Sequence, residues 1–194
     1  NVTLVIRRKL PEWDSYDEIQ KSKIKFIEVE NLDFLSTDKV SDYFKDTYDS
    51  VFCCLGSRVG KGKEEFIKVD YTYVVNSAEL CEKLKIRHFS LISSGGVDSK
   101  SWFLYMKTKG KADEDVMKKD IKMISIYRPG VLMERNNDFR LAEWLLKFTP
   151  FIPKIDVKIL AKVMMKDAER FHMENKNFKS IITHSEIINS SKLI

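Results

Sequence analysis

The chain has 194 residues, 43% of them apolar, which is enough for one substantial core and short for two. Its 34 basic and 29 acidic residues leave a formal charge of +5, but the signs alternate along most of the chain. That excludes a nucleic-acid surface built on one basic block and leaves a modest pull on anionic ligands.

Short β-branched or apolar runs recur at 2–6, 24–29, 50–55, 88–92, 123–127 and 179–183. Helix-period segments lie between most of them, clearest over 64–85 and 103–120. Continuous strands, each followed by a helix, predict a parallel sheet covered on both faces. The expected fold is a Rossmann-like doubly wound α/β sheet, formed as one domain over 1–194. After "YRPGVL" the pattern loosens, and 133–178 offers a helix, a Pro-bounded loop and another helix, the expected substrate-side elaboration. No apolar stretch reaches the roughly 18 residues that span a bilayer, and no signal-peptide pattern opens the chain. Cytoplasmic residence, with nuclear entry open, is the expectation.

The adjacent Cys53 and Cys54 sit in a strand and face opposite ways, which argues against a disulfide or zinc site there. His88, His172 and His184 are far apart, and none stands in ligand spacing with Cys or a carboxylate, so no metal is expected. His184 follows the last strand beside a capping box from Thr183 to Glu186.

In a doubly wound sheet, ligands bind beyond the carboxyl ends of the strands. The first run ends in Arg7-Arg8-Lys9, whose guanidinium groups suit a ribose 2′-phosphate and favour NADP over NAD; the bland alternative is a solvated basic turn. The third ends in Leu55-Gly56-Ser57, where a glycine lets backbone approach a cofactor, or simply makes a flexible loop. "GSRVGKG" is not a P-loop, because three residues instead of four separate its first glycines and Gly62 follows the lysine. The fourth ends in Ser93-Ser94-Gly95-Gly96, able to present a hydroxyl to a carbonyl, although a Ser-Gly loop alone is usually a turn. The fifth ends in Arg128-Pro129-Gly130-Val131-Leu132, a turn whose following backbone can meet a carboxamide.

Tyr105 stands four residues before Lys109, on one face of a helix. With seven tyrosines and 26 lysines about one such pair arises by chance, so its meaning rests on the company it keeps. A neighbouring ammonium favours a phenolate and fits tyrosine for acid/base work, and Ser94, or Ser93 beside it, supplies the polarising hydroxyl. The run "DYTYVV" reads as helix packed on the sheet, with Asp70 and Tyr71 within reach of the cofactor loop as the alternative.

With these ends in order, the sequence resembles the short-chain dehydrogenase/reductase superfamily, and within it the atypical Tat-interacting protein oxidoreductase family. The resemblance is carried by "TLVIRRKL", "VFCCLGSRVGKGKEEFIKVDYTYVVNSAEL", "HFSLISSGGVDSKSWFLYMKTKGKAD" and "YRPGVLMERN…EWLLKF", between positions 3 and 148. It implies NADP(H), with Tyr105 as acid/base, Lys109 on the nicotinamide ribose and Ser94 or Ser93 polarising a carbonyl substrate. It also implies Arg7 and Arg8 on the 2′-phosphate, Leu55 and Gly56 along the adenine-ribose side, and Leu132 at the nicotinamide. Regulatory protein partners, nuclear-import or transcription factors among them, follow from the same resemblance, and so does NADPH sensing without turnover. Two departures stand out. The Gly-rich phosphate loop has no counterpart, because the chain opens at what resembles the second strand; a fragment, a processed product or the ordered part of a longer polypeptide, with two open edges in its sheet, is the expectation. Ile6 occupies the place where the family usually has Gly.

Overall fold

In the computed structural model the described residues are 1–37, 40–133, 153–174 and 176–193. They fall into two compact units, Asn1–Asp46 and Thr47–Ile194.

The smaller unit is built on two parallel strands, β1 (Val2–Ile6) and β2 (Ile24–Glu28), paired from Val2 opposite Ile24 to Ile6 opposite Glu28. Between them runs α1 (Glu18–Ser22), which begins at a capping box. Asp17 accepts from the Gln20 amide at 2.7 Å while the Gln20 side chain accepts from the Asp17 amide at 3.0 Å. Trp13 stacks on Phe26 of β2 with ring centroids 5.2 Å apart. A short α2 (Val40–Tyr43) completes the unit.

The larger unit begins with β3 (Ser50–Cys53), α3 (Lys63–Ile67) and α4 (Tyr73–Lys83). The periodicity over 64–85 predicts one helix; the chain instead makes a π-helical turn at Lys68–Thr72 between α3 and α4. An extra residue per turn shifts the helical face there, a local distortion often found where a side chain serves a site. After it come β4 (His88–Ile92), α5 (Leu104–Met117), β5 (Met123–Arg128) and a short β6 (Val131–Met133). Then follow β7 (Lys154–Asp156), α6 (Val157–Glu174), β8 (Phe178–Thr183) and α7 (His184–Ser191). Of the expected elaboration over 133–178, residues 134–152 and 175 lie outside the described residues; the part described contains α6.

Four strands form one all-parallel sheet in the order β3-β4-β5-β8, and β6 pairs with β7 in a small sheet of its own. β4 and β5 are central and almost wholly buried, which is why their sequences read as continuous apolar runs. Phe89, Leu91, Ile124 and Ile126 pack on one face with Val74, Ala78, Ala112 and Val116 of α4 and α5. Tyr127 belongs to the other face, against Leu160, Val163 and Met164 of α6 and Ile187 of α7. Alternate residues of one buried strand thus feed two cores. Among the described residues β1 pairs only with β2, and β3 pairs only with β4, so each has an edge without a strand partner.

At the amino end of the four-stranded sheet a polar chain crosses three strands. Ser50 Oγ lies 3.1 Å from His88 Nδ1 and 3.1 Å from Nε2 of His172 on α6, while His88 Nε2 lies 3.1 Å from Ser125 Oγ. Burial first, and His172 second, lower the His88 pKa to about 4, so its imidazole is neutral near pH 7. Cys53 is buried and Cys54 exposed, on opposite sides of the strand end as the sequence implies, and burial pushes the Cys53 thiol up to about 12. Among the described residues no cluster of three His, Cys, Asp or Glu could hold a metal ion, and no helix is long and apolar enough to cross a membrane.

Candidate active site at the carboxyl end of the sheet

The π-helical turn carries Asp70 inward, where it is buried and fully engaged. One carboxylate oxygen accepts from the Ser57 amide at 2.7 Å and from Ser57 Oγ at 2.9 Å; the other accepts from Lys109 Nζ at 3.1 Å. Asp70 therefore joins the loop that follows β3 to the lysine of α5. Of the two residues in "DYTYVV" set within reach of that loop, Asp70 arrives, whereas the Tyr71 hydroxyl donates to Asp115 at 2.7 Å.

Lys109 is 7% exposed. Burial works against its charge, but the Asp70 carboxylate, then Tyr105 and Cys53, outweigh that cost and hold its pKa above the usual lysine range. One turn earlier, Tyr105 is half-buried with its ring stacked on Phe66, centroids 5.8 Å apart. Among the described residues its hydroxyl has no hydrogen-bond partner. Gly110, next after Lys109, lets α5 press against the loop before it, since a Cβ there would overlap the backbone at Asp98 and Ser99.

The two serines after β4 part company. Ser93 continues the β4–β5 ladder, its amide donating to Tyr127 O at 2.8 Å, and its side chain is buried. Ser93 Oγ faces the Asp113 carboxylate but falls short of hydrogen-bonding geometry, and both it and Asp113 Oδ1 are left without a partner. Ser94 is half-buried and makes only a long 3.4 Å bond to the Gly95 carbonyl. Asp70, Ser93, Lys109 and Asp113 line one small cleft.

Asp113 escapes the sequence reading, and Arg128 enters it only as the start of the turn after the fifth run. Asp113 is 1% exposed, and its Oδ2 accepts from Arg128 Nε at 2.8 Å. Burial raises its carboxyl above the usual range, with Ser93, Arg128 and Lys109 pulling the other way. The signal that could have exposed it is the repeat Tyr105, Lys109, Asp113, two steps of four residues along one helical face.

Of the remaining sequence candidates, Leu55 packs on the first core and Gly56 is exposed beside Asp70. Leu132, in β6, packs on the second core. All three belong to the larger unit with Tyr105, Lys109, Ser93 and Ser94. Arg7 and Arg8 belong to the smaller unit, exposed just past β1.

The family described as NAD(P)H-binding matches residues 1–166. This chain belongs to that NAD(P)H-binding family. Within it, the chain is 37% identical over 148 residues to Protein HTATIP2 of Rattus norvegicus, covering 75% of this chain and 57% of that protein. It is 32% identical over 101 residues to the mitochondrial protein FMP52 of Meyerozyma guilliermondii, covering 52% and 41%. These relatives place it in the atypical short-chain dehydrogenase/reductase group of Tat-interacting proteins. The chain spans about half the length of the curated relatives it matches. Among solved structures, MoeE5 in complex with UDP-glucose and NAD superposes with a TM-score of 0.66 at 14% identity, over 100% of this chain and 73% of that one. The UDP-N-acetylglucosamine 4-epimerase of Methanobrevibacter ruminantium M1 gives 0.64 at 11% identity, over 93% and 67%. At such identities the likeness shows the fold alone, a Rossmann-like parallel sheet.

The yeast relatives correct one expectation. Cytoplasmic and nuclear residence was inferred from the absence of a signal pattern, yet several FMP52 proteins are named mitochondrial. Composition without an evident leader was too weak a basis for a compartment.

The residues present fit the nicotinamide-ribose part of such a cofactor. Lys109 has three N–H donors and spends one on Asp70, which leaves two for ribose hydroxyls. Among the described residues the Tyr105 hydroxyl has no competing partner, and only Asp70 Oδ1 comes within 4 Å of where a Cβ on Gly56 would stand. No Gly-x-Gly-x-x-Gly run occurs in the 194 residues, so the pyrophosphate side has no counterpart among them.

Proposed function

We propose that this chain carries the catalytic half of an NADP(H)-dependent oxidoreductase that reduces a carbonyl to an alcohol. The observation that supports it is Lys109, held charged by the buried Asp70 one turn from a Tyr105 hydroxyl that has no hydrogen-bond partner among the described residues. When bound, the reduced nicotinamide supplies a hydride to the carbonyl carbon. Tyr105 gives its proton to the carbonyl oxygen, and solvent restores it. Lys109 stabilises the phenolate left behind and binds the ribose, while Ser94 donates to the carbonyl oxygen as negative charge develops there. Arg7 and Arg8 are assigned to the 2′-phosphate that separates NADP from NAD.

The test is Tyr105→Phe in the full-length protein, assayed against a panel of aldehydes and ketones with NADPH. Turnover is expected to fall by roughly 10²–10⁴-fold, with NADPH affinity by fluorescence titration nearly unchanged. Equal activity in the variant sinks the reductase reading. The sensing alternative is what remains if the parent protein binds NADPH and consumes none over hours.

A further inference from the structure

We infer that Asp113 is a positioning residue, which through Arg128 sets the spacing between the Tyr105–Lys109 face of α5 and the loop from Pro129 to Leu132. The inference rests on the reductase reading above. Tyr105, Lys109 and Asp113 follow one another at intervals of four, so a single helical face presents all three. Arg128 is the last residue of β5, and its Nε donates to Asp113 Oδ2 at 2.8 Å. Pro129 follows at once, so this ion pair grips the loop at its first residue.

Among the described residues the other ties on that loop run to the β4–α5 loop, to the start of α7 and to the residue before β7, none of them directly to α5. The Gly95 amide donates to Pro129 O at 2.7 Å, the Gly130 amide to His184 Nδ1 at 3.1 Å, and the Val131 amide to Pro153 O at 2.9 Å. A Cβ at Gly130 would overlap the Pro153 carbonyl, so the loop is fixed closely on that side. Among the described residues, Asp113–Arg128 is thus the side-chain hydrogen bond that joins the end of β5, where this loop starts, directly to the helix with the acid/base pair. The pair is also a costly way to gain stability alone. Its carboxylate is 2% exposed with one oxygen unpartnered, whereas well-packed apolar residues often replace a buried pair at no loss. What apolar packing cannot supply is a directional bond. A site with the nicotinamide against this loop and the carbonyl against Tyr105 needs that spacing, because misplacement by about 1 Å can cost roughly 10²-fold in rate.

The experiment compares full-length parent protein with Asp113→Asn, Arg128→Lys and the apolar double variant Asp113→Leu/Arg128→Met. Each is tested with NADPH and the best carbonyl acceptor found for the parent. Melting temperature, NADPH affinity, KM and kcat per folded site are read, with the isotope effect from NADPH deuterated at the transferred position. The expected result is a kcat lowered by about 10–10²-fold in all three, with KM little changed and a larger isotope effect. The double variant is expected to melt near the parent yet remain as slow as Asp113→Asn. Parental kcat in the double variant overturns the inference alone and leaves the reductase reading standing. A parent that binds NADPH but turns over no carbonyl overturns both.

Discussion

At the carboxyl end of the four-stranded sheet the ionisable side chains of Asp70, Lys109 and Asp113 are buried and Arg128 half-buried, while at its amino end Ser50, His88, Ser125 and His172 form a chain of hydroxyls and imidazoles. The two groups lie on the same scaffold of β3, β4 and β5 and their neighbouring helices. The amino-end chain links its imidazoles and hydroxyls in succession. The charged group leaves Ser93 Oγ and Asp113 Oδ1 without partners and leaves donors of Lys109 to spare. Unmet polar atoms in a buried place are expensive. Ser90 Oγ, in register with Ser125, is unpartnered as well, so the two groups differ in their ionisable side chains rather than in how fully they are satisfied.

The largest effect belongs to the charged end. Asp70→Asn should destabilise the protein by about 3–5 kcal/mol in urea unfolding at neutral pH, because Lys109 is left buried without its counter-charge. Adding Lys109→Met should recover most of that loss, and a double-mutant cycle gives the coupling directly. If the two losses simply add, the ends do not differ in the way described.

Acid is the probe of the amino end. His88 has a folded pKa of about 4 against the ordinary 6.5, so between those values the unfolded chain binds a proton that the folded chain does not. Stability is then fully present above pH 6.5 and falls as pH drops toward 4, by about 3 kcal/mol across the window. Unfolding curves at several pH values check the slope, and His88→Phe should flatten it. The smallest effect is Ser50→Ala, about 1–2 kcal/mol at neutral pH, since His88 Nδ1 and His172 Nε2 both lose their partner. A loss as large as that of Asp70→Asn would erase the distinction between the ends.

The sheet was legible because buried parallel strands advertise themselves. The run at 88–92 forms β4 with those bounds, and that at 123–127 falls one residue short of β5. The Tyr105–Lys109 spacing was legible because a helix turns four residues into neighbours. What was illegible depends on distance along the chain. Asp70 meets Lys109 across 39 residues, and Ser50 meets His172 across 122; no local period encodes either. The π-helical turn was hidden too, since its residues carry an ordinary helical pattern while the extra residue depends on what Asp70 must reach. The short strands β6 and β7 are three residues each, too brief to show alternation.

Ser57 and Lys109 never touch, yet they share one carboxylate. Each hydrogen bond that Ser57 gives to Asp70 drains some of the negative charge available to Lys109. Lifting the loop beyond β3 away from Asp70 would return that charge to the ammonium and tighten its hold on a proton. The position of a backbone loop is thereby converted into proton affinity at the residue that steadies Tyr105. On the reductase reading, whatever settles on Gly56 and Ser57 would adjust Lys109 through Asp70 without touching it.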